Sequence, residues 1–248
     1  MVSVMPLLCV ASMWAGNPPE PAIASFLHEP TYCMDKSVCI DKSRHGNARP
    51  YLPQPGDVML ATDKNLFWKI THDLALAFEP HNSAIVVARP DGSLAILEAG
   101  PNDTLWIKVM DMLPHLQEYA DKGPVWIRKR KTPLSAEQSA CLTDFAMRQC
   151  GKRFALQRLG WQLTPFRDRG PLRTAFMGKP HGDRRSYYCS EIVLEAAVAA
   201  GIVDPVTARP SAGYPHELFF DRSFNPYLNR HPPLVHDWEP PARWAYRP

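Results

Sequence analysis

Several features that would settle a class at once are missing from this chain. No run of eighteen apolar residues occurs in its 248 residues. A helix that crosses a bilayer needs about twenty, so a membrane-spanning helix is excluded. An excess of one charge is also missing: 28 Lys and Arg stand against 25 Asp and Glu, a net charge of +3. That balance is too mild to argue for a nucleic-acid partner. Six cysteines over this length do not make a disulfide-built scaffold. There is no HExxH, no EF-hand loop, no CxxC and no internal repeat. What is present is an apolar content of 45%, ordinary for a protein with a core, and an excess of proline. The 26 prolines gather toward both ends. This predicts extended ends around a folded middle.

The organisation follows from that distribution: an N-terminal arm over 1–50, a domain over 51–220 and a Pro- and aromatic-rich tail over 221–248. Val4 to Gly16 is an apolar run of signal-peptide length, with small residues Ala11, Ala15 and Gly16 near its end. No Lys or Arg precedes it, so the positive n-region is absent. It reads either as a degenerate export signal, which implies a periplasmic or extracellular protein, or as an apolar arm on a cytoplasmic one. His28, Cys33, Cys39 and His45 follow, with spacings that match no common structural zinc pattern. Cys33 and Cys39 are open to a disulfide in an exported chain, to metal, or to two free thiols; no bound metal and no cofactor is expected.

At Gly56 the texture changes. Gly56–Leu60 reads as a first strand, and Leu66, Ile70, Leu74 and Phe78 recur at helical spacing up to Pro80. Ser83–Ala88 and Ser93–Ala99 are β-rich runs joined by Arg-Pro-Asp-Gly, a hairpin signal. Further strands are predicted over Thr104–Val109 and Val125–Lys129, with a helix near Met112–Tyr119 between them. Ser135 is an N-cap for a helix that ends before Gly151. A last helix runs from about Tyr188 to Ala200, with Ile192, Val193, Ala196, Ala197 and Ala200 as its buried stripe. The fold class is therefore α+β: a small, mostly antiparallel sheet with helices packed on it.

Cys189 begins that last helix. A thiol at a helix start meets the helix dipole and open backbone N–H groups, which predicts a lowered pKa. A thiolate needs a base and the base an orienting group. His81 directly precedes the first hairpin strand and Glu98 lies near the end of the second. With the turn at Pro90–Gly92, the two are expected as neighbours across the ladder or one pair apart. Between Arg148 and Arg185 stand ten Lys and Arg against two Asp. This local field reads as a solvated surface or as a rim for anionic substrate or lipid headgroups, with Arg184 and Arg185 the candidate contacts beside the site.

The motifs GDVML, PHNSAIVV, DGSLAILEAG and YYCSEIVLEAA, in that order over about Pro55 to Leu218, resemble the permuted papain-like cysteine hydrolases of the NlpC superfamily, YiiX type. The resemblance implies a sheet that carries the histidine first and a helix that carries the nucleophile last. It implies Cys189 as nucleophile, His81 as general base and Glu98 as the orienting residue. Tyr188 is implied as a shaper of the oxyanion site, and Glu191 as a structural helix-start residue. The stretch Gly151–Ala155 lacks the Tyr-Asp pair common in that family, and the basic insert before Cys189 is outside its pattern. The implied activity is hydrolysis of a peptide or cell-wall amide through a thioester. Acyl transfer on lipids, as in the lecithin retinol acyltransferase-like branch, and a non-catalytic binding module on the same fold are the alternatives. The expected partner is a small-molecule, peptide or lipid substrate, with no nucleic acid.

Overall fold

The computed structural model describes residues 31–34, 48–62, 78–161, 182–208, 210–221 and 234–246, together with 69, 70 and 73. The apolar run at 4–16, His28, Cys39 and His45, and the middle of the basic stretch lie outside the described residues, as do Leu66 and Leu74. Ile70 is helical and half exposed.

In chain order the strands are β1 (Tyr32–Met34), β2 (Ala48–Pro50), β3 (Val58–Ala61), β4 (Asn82–Ala88), β5 (Leu94–Ala99), β6 (Ile107–Asp111), β7 (Val125–Arg128), β8 (Arg153–Phe154), β9 (Ser186–Tyr187) and β10 (Ala242–Ala245). The helices are α1 (Met112–Lys122), α2 (Ala136–Gln149), α3 (Leu156–Trp161), α4 (Cys189–Ala199) and α5 (Pro215–Phe220). Among the described residues, eight strands form one sheet in the order β2-β1-β10-β7-β3-β4-β5-β6, and every neighbouring pair in it is antiparallel. The α+β class holds. The small parallel pair β8–β9 stands apart from the main sheet.

The sheet is covered on both faces, which explains why β3 and β4 read as nearly unbroken apolar runs rather than alternating ones. One face carries Val58, Leu60, Ile85, Val87, Ala95 and Leu97, against which α2 sets Leu142 and Phe145 and α4 sets Ile192 and Val193. The other carries Met59, Ala61, Ala84, Val86, Ile96 and Ile127, covered by Met112, Leu116 and Tyr119 of α1. The two clusters therefore sort by odd and even positions along β4 and β5, as the two-residue period of a strand requires.

Local signals built the elements as their chemistry predicts. The hairpin β4–β5 closes over Pro90, Asp91 and Gly92: Arg89 N–H donates to Ser93 C=O at 2.8 Å, and Gly92 takes φ +84°. Asp91 Oδ1 accepts from Ser93 N–H (2.9 Å) and Oγ (2.7 Å) inside the turn. Ser135 caps α2 in a reciprocal box with Gln138.

The ends of the chain are less separate than the proline pattern suggests. β10, from the tail, pairs with β7, and β1, from the arm, pairs with β10. Strands from the arm (β1, β2) and the tail (β10) thus belong to the same sheet as β3–β7 of the segment 51–220. Arg128 of β7, almost fully buried, locks the tail in place. Its guanidinium grips Asp221 at 2.9 Å through both nitrogens and donates to the carbonyls of Leu218 (2.8 Å) and Glu239 (3.1 Å).

Candidate functional site

Cys189 is the first residue of α4, and α4 lies on the β4–β5 face with its N-terminal end toward the start of β4. Its first turn is anchored from the other side. Tyr188 Oη donates to Ser211 C=O, and Ser190 Oγ donates to Gly213 C=O at 2.6 Å. Glu191, fully buried, is held by both terminal nitrogens of Arg158 (2.6 and 2.7 Å) and by Arg184 Nε at 3.3 Å. Glu191 thus ties α3 and the segment before β9 to the helix start.

A small cavity of about 50 Å³ opens at this point. Cys189, His81, Asn82, Tyr119 and Tyr188 contribute to its wall, together with Phe154, Leu159 and Pro215. The volume suits a reacting group or a few waters, far below the several hundred Å³ of a pocket that encloses a whole ligand. Gly100 also lines it with φ +77°, and a Cβ there would meet the Phe154 ring at 2.8 Å.

The structure brings Cys189 and His81 to the same cavity. Both are buried, and the Cys189 thiol lies 3.8 Å from the His81 carbonyl oxygen. Burial pushes the Cys189 thiol up to about 11, and the charge of Glu98 adds to the rise; N–H groups of Ser190 and Ser83 oppose both. The expected lowering at a helix start is therefore corrected. Desolvation of a thiolate in an apolar wall outweighs the dipole and the open N–H groups.

Glu98 is not beside His81. The three-residue turn sets Ala84 opposite Glu98, which leaves His81 three positions beyond. The parity differs too, so Glu98 points to the opposite face of the sheet. There it is fully buried and meets α1: His115 Nε2 lies 2.6 Å from Oε2, and Tyr119 Oη donates to Oε1 at 2.7 Å. Asn82 Nδ2 donates to Glu98 Oε1 (2.6 Å) and to Tyr119 Oη (2.7 Å). Asn82 and Tyr119 both reach the cavity wall, so the Glu98 carboxylate contacts the site through them.

The remaining candidates divide. Tyr188 forms part of the wall, with its hydroxyl committed to Ser211. Arg184 is engaged with Glu191, Arg185 is exposed, and neither lines the cavity. Asn82, His115 and Tyr119 were not singled out from sequence. The available signal was the i, i+4 spacing of His115 and Tyr119 on one helix face, but their joint partner on β5 required the register. Among the described residues, no cluster of three or more His, Cys, Asp or Glu could hold a metal ion, and no helix is long and apolar enough to cross a membrane.

No protein-family model matches this sequence, and no curated protein matches it. Among solved structures, the chain is similar to one described as a crystal structure of metalloprotein YiiX from Escherichia coli O157:H7, DUF1105. The superposition has a TM-score of 0.42 and 20% identity, and covers 60% of this chain and 67% of that one. A likeness at this level establishes neither a family nor an activity.

Proposed function

We propose that this protein is a cysteine hydrolase of permuted papain-like type that cleaves amide bonds through a thioester at Cys189. The observation that carries the reading is the shared cavity: a thiol on the first residue of a helix and a buried histidine line the same small space. With the thiol pushed up to about 11 it is neutral at rest. Attack therefore couples to proton transfer. As the sulfur bonds to the substrate carbonyl carbon, His81 accepts the thiol proton. N–H groups at the helix start stabilise the oxyanion. Collapse breaks the C–N bond, and the imidazolium returns its proton to the leaving amine. Water then attacks the thioester with His81 again as base, releasing the acid and the free thiol. In this scheme Glu98 acts through Asn82, whose amide it orients at the cavity wall, and is a positioning residue.

The test is covalent capture. The full chain is incubated with a panel of small amides and activated esters, and the peptide that bears Cys189 is weighed. The expected result is an acyl adduct on Cys189 and turnover that Cys189→Ala abolishes and His81→Ala lowers by about a hundredfold or more. Turnover that persists in Cys189→Ala overturns the reading.

Two observations favour other readings. The apolar wall contributed by Ala99, Phe154, Leu159 and Pro215 suits an acyl ester, the lipid-directed chemistry, and faster capture of acyl esters than of amides would select it. The raised thiol and the commitment of Glu98 to Asn82, Tyr119 and His115 suit a binding module without catalysis. Saturable ligand binding that Cys189→Ala leaves intact, with no adduct from any acyl donor, would select that one.

A further inference from the structure

The rim of the cavity carries large apolar side chains in the open. Thr104, Phe154 and Leu159 line the cavity, while Leu105, Trp106 and Leu156, beside them in the chain, are 48%, 46% and 47% exposed. These residues lie on neighbouring stretches of backbone. Phe154 N–H donates to Leu105 C=O at 2.9 Å, Trp106 forms an antiparallel bridge with Arg153, and Leu156 follows two residues after Phe154. Contiguous exposed apolar groups of this kind mark interaction sites.

Three basic side chains stand among these residues. The Arg153 guanidinium lies 5.5 Å over the Trp106 ring. Arg185, exposed, precedes Ser186, which pairs with Arg153. Lys108, exposed, stands two residues beyond Trp106. Two nearby carboxylates are held by other cations, Asp183 by Lys152 at 2.7 Å and Glu191 by Arg158 and Arg184. The result is an apolar patch with a cationic fringe.

We propose that this face docks on an anionic phospholipid bilayer. Leu105, Trp106 and Leu156 would enter the boundary between headgroups and acyl chains, with Arg153, Arg185 and Lys108 against the phosphates. The combination is what selects a lipid surface: indole and long basic side chains suit an apolar body beside a charged, wet layer. Leucines in the open at the centre of the patch offer nothing to a nucleic-acid backbone. The proposal does not rest on the chemistry of Cys189. If that chemistry also holds, the cavity opens at the membrane surface.

The test is co-sedimentation of the full chain with phosphatidylcholine vesicles and with mixed phosphatidylcholine–phosphatidylglycerol vesicles. The chain is expected to sediment with the anionic vesicles and far less with the zwitterionic ones. Each basic residue at an anionic surface is worth about fivefold in partitioning, so Arg153→Gln with Arg185→Gln should weaken it by roughly tenfold or more. Leu105→Ser with Trp106→Ser should weaken it too. Val206→Ser, at a 77% exposed residue beyond the opposite end of α4, should leave it unchanged, as should Cys189→Ala. Absence of sedimentation with anionic vesicles overturns the proposal. So does partitioning that neither double variant weakens, or retention of an oligonucleotide by a chain that leaves the vesicles unbound.

Discussion

Cys189 sits under opposed influences, and their balance is measurable. The helix start and the Ser83 and Ser190 N–H groups favour thiolate; burial and the Glu98 charge disfavour it, and burial is the largest effect. Alkylation of Cys189 should therefore be slow at neutral pH, slower than that of exposed Cys150, and rise only as pH approaches about 11. Glu98→Gln removes one negative charge while its amide oxygen still accepts from Tyr119 and Asn82. It should speed Cys189 alkylation several-fold at a fixed pH between 8 and 10. Peptide mass spectrometry after timed alkylation reads both effects. Equal rates in parent and variant would mean that the Glu98 charge does not reach the thiol. The places of His81 and Cys189 at the starts of β4 and α4 were legible in sequence, because the types of those elements are locally encoded. The position of Glu98 was not. One error of parity moves a side chain through the sheet, and the run from His81 to Ala88 has apolar residues on both faces to hide it.

At the scale of elements, α4 is buried almost all round, including Glu191 and Glu195. Glu191 has two arginines; Glu195 has the Gly182 N–H at 2.9 Å. Burial pushes the Glu195 carboxyl up to about 8, the nearby Glu191 charge adds to it, and the Gly182 N–H, Arg184 and Arg158 pull it back. The folded protein thus holds this proton more tightly than the unfolded chain. The stability it contributes is complete below the unfolded value of about 4.3 and is lost as pH rises through about 8. Glu195→Gln keeps an acceptor for Gly182 and removes the charge. The variant should match the parent near pH 4 and exceed it at pH 8, by on the order of a few kcal/mol, in urea unfolding at the two values. A gap that does not widen with pH would show that Glu195 titrates normally. The helix itself was legible from its apolar stripe and Gly201; its two buried carboxylates were not, since their partners come from α3 and from the segment before β9.

At the scale of the molecule, the sheet is completed by strands from both ends of the chain. Trp244 of β10 is 2% exposed and faces Cys33 across the β1 ladder, within the cluster that includes Met59 and Ile127. Trp244→Ala should cost about 3–5 kcal/mol. For a chain of this size that corresponds to a fall in Tm of roughly 6–20 °C. Differential scanning calorimetry checks it. A Tm within a degree or two of the parent would mean that the tail strand is peripheral to the fold. Proline and aromatic richness hid this strand, because the six residues between Pro241 and Pro248 give too short a pattern to count as a strand alone. Its pairing with β7 is a contact across more than a hundred residues.

The sequence by itself determined the class of the fold, the β4–β5 hairpin, the capped helix after Ser135 and the Cys-bearing helix. Each of these is written in a local period, a turn residue or a cap, where interactions span a few residues. Only the tertiary structure decided that Glu98 belongs to Asn82, Tyr119 and His115 rather than to His81. It also decided that burial outweighs the helix dipole at Cys189, and that the ends of the chain close the sheet. Those outcomes depend on register, on which face of the sheet a side chain takes, and on how much water a neighbouring element removes. All three are set by contacts between segments far apart in the chain, and no local pattern carries them.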